Sequence, residues 1–177
     1  MRVIAGKYRS RRLLAPKGLD TRPSLDSIKE AMFNILGQEV IDATVLDLFA
    51  GSGALGIEAL SRGAKKVYFN DVAKKAYDVI KKNLENLGIE SGYALTKLSY
   101  KEMLKVLNNQ VDILILDPPY KLGIYEEIIS MMEERNLFSP NIKIMIEMDE
   151  DYELKLKTSY QIKEYHYGNK KLVYLFR

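Results

Sequence analysis

The sequence predicts an α/β protein with a doubly wound, mostly parallel sheet of seven strands that ends in an antiparallel hairpin. From Thr44 to Met148, apolar runs of strand length alternate with amphipathic helix patterns, as in a parallel sheet covered on both faces. A glycine-rich turn directly follows the first of these strands. Near the carboxyl terminus, two β-rich segments flank Gly168 and Asn169, which is typical of a hairpin. In such a sheet, ligands bind at the carboxyl ends of the strands.

The elements follow one another along the chain. The predicted strands cover 44–49, 66–70, 93–98, 111–116 and 142–148, with hairpin strands over 160–167 and 172–176. The predicted sheet helices cover 54–62, 73–87, 100–107 and 125–135. Before the sheet, an apolar stripe that ends at Gly37 predicts one more helix, capped by Ser24 or by Ser27 in a capping box with Glu30.

The glycine turn after the first strand is a candidate ligand site. Gly51, Gly53 and Gly56 let the backbone turn sharply, and the following helix start offers unpaired N–H groups to an anion. Asp71, twenty residues after Gly51, can accept the hydroxyls of a ribose. The spacing also fits a dinucleotide fingerprint. An NAD-dependent oxidoreductase is nevertheless disfavoured, because Asp47 lies inside the strand end and the chain has no room for a substrate domain.

The tetrapeptide Asp117-Pro118-Pro119-Tyr120 follows the fourth predicted strand and suits the methylation of an exocyclic amine. The lone pair of such a nitrogen is delocalised into the base, and two acceptors on its N–H bonds can free it. The carboxylate of Asp117 and the carbonyl of Pro118 can be those acceptors, and the prolines stiffen the geometry. Tyr120 can stack on the base. The alternative is an Asp-Pro turn with a structural role only.

Composition excludes several classes of protein. The 177 residues suit one domain, and no apolar run is long enough to span a membrane. The absence of cysteine excludes disulfides and thiolate metal sites, and the single histidine, His166, is assigned no role. With no recognisable signal peptide, we expect a cytoplasmic protein without a membrane partner or a metal.

Positive charge is concentrated at the amino terminus. Residues 1–22 carry seven basic side chains and one acid, a net charge of +6, so the other 155 residues carry −3 of the total of +3. Gly6 and the β-prone residues around it predict a small hairpin over residues 2–15. Such a patch suits a polyanion, and an aromatic such as Tyr8 among cations can stack on an exposed base. The alternative is a solvated arm that only aids solubility.

The motifs together resemble a known family. Asp47-x-Phe49-x-Gly51-x-Gly53 with the Asp117 tetrapeptide resembles the S-adenosylmethionine-dependent amino-methyltransferases. The fuller match comprises 22–26, Phe33-Asn34, 48–63 and Tyr167-Gly168, and is similar to the bacterial methyltransferases that modify the N2 amine of one guanine in small-subunit ribosomal RNA. The resemblance implies a Rossmann-like class I methyltransferase fold and S-adenosyl-L-methionine as cofactor. It also implies ribosomal RNA or an assembling small subunit as partner. Apart from the resemblance, we expect a monomer.

The resemblance also implies roles for individual residues. The cofactor-binding residues are Asp47, Phe49, Ala50, Gly51, Ser52, Gly53, Asp71 and Ser99. The catalytic residues are Asp117, Pro118, Pro119 and Tyr120. The charge at the amino terminus, and not the resemblance, indicates the RNA-binding residues: Arg2, Lys7, Tyr8, Arg9, Arg11, Arg12 and Arg22. Ser99, expected near the adenine, replaces the Asp or Asn usual in the family, and Asn70 is the alternative to Asp71 at the ribose.

We therefore expect a basic hairpin extension over 1–20 and a single methyltransferase domain over 21–177. The nearest alternative function is an adenine-N6 methyltransferase acting on DNA or RNA, since the tetrapeptide suits any exocyclic amine. More distant alternatives are the NAD-dependent oxidoreductase and a non-catalytic RNA-binding module, which would not need Asp117.

Overall fold

The computed structural model describes residues 1–17, 23–118 and 123–177. In these residues, parallel and antiparallel strands form one sheet. The strands are β1 (Thr44–Asp47), β2 (Lys66–Asn70), β3 (Tyr93–Thr96), β4 (Val111–Leu116), β5 (Phe138–Asp149), β6 (Gln161–Tyr167) and β7 (Lys170–Phe176). Their order is β3-β2-β1-β4-β5-β7-β6. The first five strands run parallel, and β7 is antiparallel to both β5 and β6. This confirms the predicted doubly wound sheet with a terminal hairpin.

Helices pack on both faces of the sheet. They are α1 (Pro23–Leu36), α2 (Ala54–Ser61), α3 (Lys74–Asn86), α4 (Tyr100–Val106) and α5 (Tyr125–Glu134). Residues alternate along β4, so that Ile113 and Ile115 join the core under α1, α2 and α3, whereas Leu114 and Leu116 join the core under α4 and α5. None of the helices in the described ranges is long and apolar enough to cross a membrane.

Some predicted boundaries were wrong for identifiable reasons. Helix α1 begins at Pro23, so Ser24 and Ser27 lie within the helix and the Ser27 capping box is not its start. Proline suits a first helical position because its φ is already helical and no N–H is lost. Strand β5 begins at Phe138, before the expected residue 142, because Phe138 pairs with Val111 across an irregularity in the ladder.

The amino-terminal segment forms the predicted hairpin in a reduced form. Arg2 and Arg12 make a single antiparallel bridge, and the N–H of Val3 donates to the carbonyl of Arg11 at 2.9 Å. Val3 and Leu13 are buried in the same core cluster as α1 and α2. The segment therefore packs onto the sheet domain and is not a separate tail.

Candidate active site

The glycine turn lies between the carboxyl end of β1 and the start of α2. Gly51 has a φ of +56°, a left-handed conformation that side chains rarely adopt, and a Cβ added there would meet no atom within 4 Å. The turn is thus open to a ligand at Gly51. Ala50 and Ser52 beside it are buried, and Gly53 takes the N-cap position of α2. The hydroxyl of Ser52 accepts a 3.3 Å hydrogen bond from the N–H of Ala54.

Asp71 is directly bonded to this turn. Its Oδ2 accepts a hydrogen bond from the N–H of Gly51 at 2.9 Å, and its Oδ1 accepts one from the N–H of Ala73, also at 2.9 Å. A carboxylate has about four lone-pair sites, so both oxygens keep acceptor capacity for a ligand. Asn70 is instead buried, and its amide donates to the carbonyls of Leu48 and Leu98. Asn70 is used inside the protein, which leaves Asp71 as the side chain at the turn.

A buried acid, Asp47, lies beneath the turn. Its Oδ2 accepts a 3.0 Å hydrogen bond from the N–H of Gly56, in the first turn of α2. Burial raises the pKa of Asp47 to about 7, with the bond from Gly56 opposing the rise and the charge of Asp71 adding to it. A positively charged ligand near Asp47 would lower this raised pKa and stabilise the ionised carboxylate, so the site favours a cation.

The unusual pKa of Asp47 predicts a pH-dependent stability. The ordinary pKa of an aspartate is 3.8. Between about pH 4 and pH 7, the folded protein therefore keeps a proton on Asp47 that the unfolded chain has already released. The free energy of unfolding should therefore fall as the pH rises through this range, by at most about 1.4 kcal/mol per pH unit for this group. Denaturant unfolding at several pH values measures the slope. Asp47→Asn should make the slope shallower without removing it, because other acids with raised pKa values contribute with the same sign. An unchanged slope in that variant would contradict the assignment.

A second group of acids lies at the carboxyl ends of β4 and β5. Asp117 follows β4 directly, and its pKa is raised to about 8 by burial, then by the negative charges of Glu147 and Asp47. Burial also raises the pKa of Glu147. Beyond Glu147, the ammonium of Lys170 pairs with Asp149 at 2.9 Å. Pro118 is half-buried beside Asp117. Three acids from three strands thus converge at one edge of the sheet, beside the glycine turn.

The remaining predicted cofactor residues, Phe49 and Ser99, lie beside the start of α4. The ring of Phe49 is 6.1 Å from that of Tyr100, centroid to centroid, in a tilted arrangement. Ser99 caps α4: its hydroxyl accepts from the N–H of Glu102 at 3.2 Å, and the Glu102 carboxylate bonds back to Ser99. The hydroxyl of Ser99 is therefore already bonded within the protein, and its contact with adenine stays a prediction. The predicted residues Pro119, Tyr120 and Arg22 lie outside the described residues.

The basic arm, residues 1–17, is held on α2 by contacts that sequence reasoning missed. Glu58 is fully buried, and its two carboxylate oxygens accept hydrogen bonds from the N–H groups of Ile4 at 2.9 Å and Ala5 at 3.0 Å. Ser61 donates to the carbonyl of Ala5 and accepts from the N–H of Tyr8. A charge inside the apolar run 54–60 was the available signal for this anchor.

The docked arm exposes its cations and approaches the glycine turn. Tyr8 is half-buried, whereas the five candidate RNA-binding cations of the arm are all exposed. They are Arg2, Lys7, Arg9, Arg11 and Arg12. Asn83 on α3 joins the arm to the turn, because its amide group exchanges hydrogen bonds with the backbone of Leu14 and donates to the carbonyl of Ser52 at 2.9 Å. The positive surface and the glycine turn thus share α2 and α3 as supports.

Comparison with known proteins identifies the family. The family model described as "Conserved hypothetical protein 95" matches residues 1–176. A protein of Haemophilus influenzae named ribosomal RNA small subunit methyltransferase D is 40% identical over 154 residues, which cover 85% of this chain and 80% of that protein. A putative rRNA methyltransferase of Bacillus subtilis is 36% identical, over 87% of this chain and 85% of the relative.

Solved structures agree with the sequence comparison. A putative methyltransferase from Escherichia coli superposes with a TM-score of 0.89 at 29% identity, and the match covers 100% of this chain and 97% of the other. The match spans the amino-terminal arm as well as the sheet. The chain therefore belongs to the "Conserved hypothetical protein 95" family and is a relative of proteins named as small-subunit ribosomal RNA methyltransferases.

Proposed function

We propose that this protein is an S-adenosyl-L-methionine-dependent methyltransferase that modifies the exocyclic N2 amine of a guanine in small-subunit ribosomal RNA. The observation that carries the proposal is the proximity of two features on neighbouring strands. The open glycine turn follows β1, and Asp117-Pro118 follows β4, which pairs directly with β1. A methyl donor held at the first can thus face an amine held at the second. The coarser activity, methyl transfer, has further support from the relatives' names.

The residues at the turn fit the cofactor's chemistry. The cofactor carries a methyl group on a positively charged sulfur and supplies it as an electrophile. Asp47 offers a buried carboxylate to the cationic methionine half, and Asp71 keeps lone pairs for the ribose hydroxyls. Gly51 leaves space where a side chain would exclude the ligand. Phe49 and Ser99 complete the proposed site on the adenine side.

The residues after β4 suit the nucleophile. The donors of the amine and the positive charge of the cofactor would favour the ionised form of Asp117 against its raised pKa. The Asp117 carboxylate and the Pro118 carbonyl then accept hydrogen bonds from the two N–H groups of the amine, which directs its lone pair at the methyl group. Tyr120 supplies a stacking face for the base. No dedicated general base is needed, because the amine becomes acidic once it is methylated and cationic. That proton can pass to solvent. During the transfer itself, before the proton leaves, Asp117 would stabilise the positive charge that develops on the nitrogen.

Asp71 should be needed for cofactor binding. Asp71→Ala removes charge-assisted hydrogen bonds and should weaken S-adenosylmethionine binding by roughly 1.5–3 kcal/mol, measured by calorimetry. Asp78→Ala is the control, since that exposed acid on α3 pairs only with Lys74 on the surface among the contacts described. Affinity unchanged by Asp71→Ala would remove Asp71 from the site.

The basic arm should bind the RNA backbone. Replacing Lys7, Arg9 and Arg12 by glutamine should weaken RNA binding and reduce its salt dependence, by about 0.7–0.9 in the logarithmic slope per lost phosphate contact. Filter binding across a salt series measures both quantities, and cofactor affinity should not change.

The matched control for the arm replaces three exposed lysines elsewhere. Lys105, Lys155 and Lys157 lie outside the arm, and their replacement by glutamine changes the net charge equally. If both triple variants lose the same affinity, the arm acts only through overall charge.

One experiment tests the proposed function as a whole. Modified nucleotides are mapped in ribosomal RNA from cells with and without this protein, and N2-methylguanosine should disappear from one position. Loss of N6-methyladenosine would support the adenine-N6 alternative.

The cytoplasmic location, the monomeric state and the choice between naked RNA and an assembling subunit stay predictions.

A further inference from the structure

We propose that Glu147 reads the N1–H of the target guanine and so selects guanine over adenine. This inference rests on the proposed function and adds a specificity residue to its site. Glu147 lies near the end of β5, on the strand next to the one that positions Asp117.

The register of the sheet places the two acids side by side. In the parallel ladder, Ile115 pairs with Met145 and Leu116 pairs with Ile146, so Asp117 and Glu147 are the next residues on each strand. Neighbours in register project to the same face, and adjacent strands lie about 4.8 Å apart. The electrostatic effect of Glu147 on Asp117 agrees with this proximity.

Both carboxylates are available to a ligand. Within residues 1–17, 23–118 and 123–177, no donor hydrogen-bonds the side chain of Asp117 or of Glu147, and Lys170 makes its ion pair with Asp149. The backbone of Glu147 is fixed, since its carbonyl accepts a 3.3 Å hydrogen bond from the hydroxyl of Tyr125. Glu147 is also only half-buried, although both its strand neighbours are buried. A charged side chain at such a position costs free energy unless a donor meets it.

The chemistry of the bases explains what the pair selects. Guanine presents two adjacent kinds of donor on one edge, the N1–H and the N2 amine. The pKa values of both acids are raised in the free protein, and hydrogen-bond donors brought by a bound guanine favour their ionised forms. Ionised carboxylates only accept hydrogen bonds, so Asp117 can take the amine while Glu147 takes N1–H. Adenine also has an amine, but its N1 is a bare acceptor that would face the Glu147 carboxylate without a proton between them. A site built to bond one donor rejects the analogue that lacks it.

The test uses 2-aminopurine, which keeps the N2 amine but lacks the N1–H and the O6 of guanine. Small-subunit RNA is prepared with guanine or 2-aminopurine at the mapped target, and single-turnover methyl transfer is measured at saturating cofactor. The wild-type enzyme should prefer guanine by about 10- to 100-fold. In Glu147→Gln this preference should fall to within a few-fold, because the amide can donate to the bare N1. Loss of O6 affects both enzymes alike.

Two further variants make the result decisive. Glu150→Gln changes an exposed acid three residues away and should keep the guanine preference unchanged. Glu147→Asp keeps a carboxylate and should keep the preference with a lower rate, which guards against a Gln variant that fails to fold. Equal preference in the wild type and a folded Glu147→Gln would overturn the inference. A wild-type enzyme that leaves guanine N2 unmethylated would instead contradict the proposed function.

Discussion

Replacing Asp117 with alanine should lower the rate of methyl transfer by about 100-fold or more, the scale of a lost electrostatic contact in a transition state. The carboxylate orients the amine and meets the positive charge that develops on it. The measurement is single-turnover transfer at saturating cofactor, so that cofactor affinity does not enter. Binding of S-adenosylmethionine should change little, because Asp117 is proposed to contact the amine, whereas Asp47 and Asp71 are proposed to contact the cofactor.

The controls separate chemistry from folding. Asp117→Asn keeps one carbonyl acceptor and should retain more activity than the alanine variant. At Tyr120, phenylalanine keeps the stacking face and should be mild, whereas alanine should be severe. Asp117 is half-buried and its raised pKa means that its charge is unfavourable in the folded protein, so its removal should leave the melting temperature unchanged or raise it. A near wild-type rate for Asp117→Ala would leave the tetrapeptide as a structural turn.

Glu58→Ala should lower the free energy of unfolding by about 3–5 kcal/mol, the typical result of removing one partner of a buried ion pair. Glu58 is fully buried and lies 3.5 Å from the ammonium of Lys29, which is only 3% exposed, and 2.9 Å from the guanidinium of Arg62. Without Glu58, the remaining acid near Lys29 is the partly exposed Asp26, 3.8 Å from the ammonium. The N–H groups of Ile4 and Ala5 would also lose their acceptor.

Two variants calibrate the Glu58 result under the same denaturant titration. Glu58→Gln keeps the volume and one acceptor oxygen, and should lose less stability. Asp78→Ala breaks an exposed pair with Lys74 on α3 and should cost less than about 1 kcal/mol. A loss for Glu58→Ala no larger than that for Asp78→Ala would show that the arm and Lys29 rearrange at little cost.

The order and kind of the elements could be predicted from sequence because periodicity and glycine punctuation are local signals. Strand β4 shows this, since its continuous apolar run is buried on both faces as expected. The first and last residues of the elements depended on capping and strand pairing, which the hydrophobic pattern does not encode. The start of α1 was set by Pro23, and the first residue of β5 was set by pairing with Val111 across the sheet.

The candidate site could be predicted in part. Asp47, Gly51, Asp71 and Asp117 carry motif spacing, and the fold brings them to one edge of the sheet. Glu147 carries no motif, and its position beside Asp117 follows only from strand order and register.

Other contacts of the fold were equally hidden from motif reading. Glu58 acts on backbone groups more than fifty residues away, which no local pattern encodes. The spacing of Ser99 and Glu102 fits the capping box that the structure shows, whereas the resemblance implied a contact of Ser99 with adenine.

The anchoring of the arm on a buried carboxylate has a consequence for the exchange of backbone amides with solvent. The N–H groups of Ile4 and Ala5 bond to Glu58, whose side chain is inaccessible in the folded protein. These amides can exchange only when the arm leaves α2, and that opening exposes a charge together with the core residue Val3. Opening of this kind costs free energy on the scale of a cooperative unit and not of a fraying end. The amides of Ile4 and Ala5 should therefore exchange much more slowly than those of a fraying chain end.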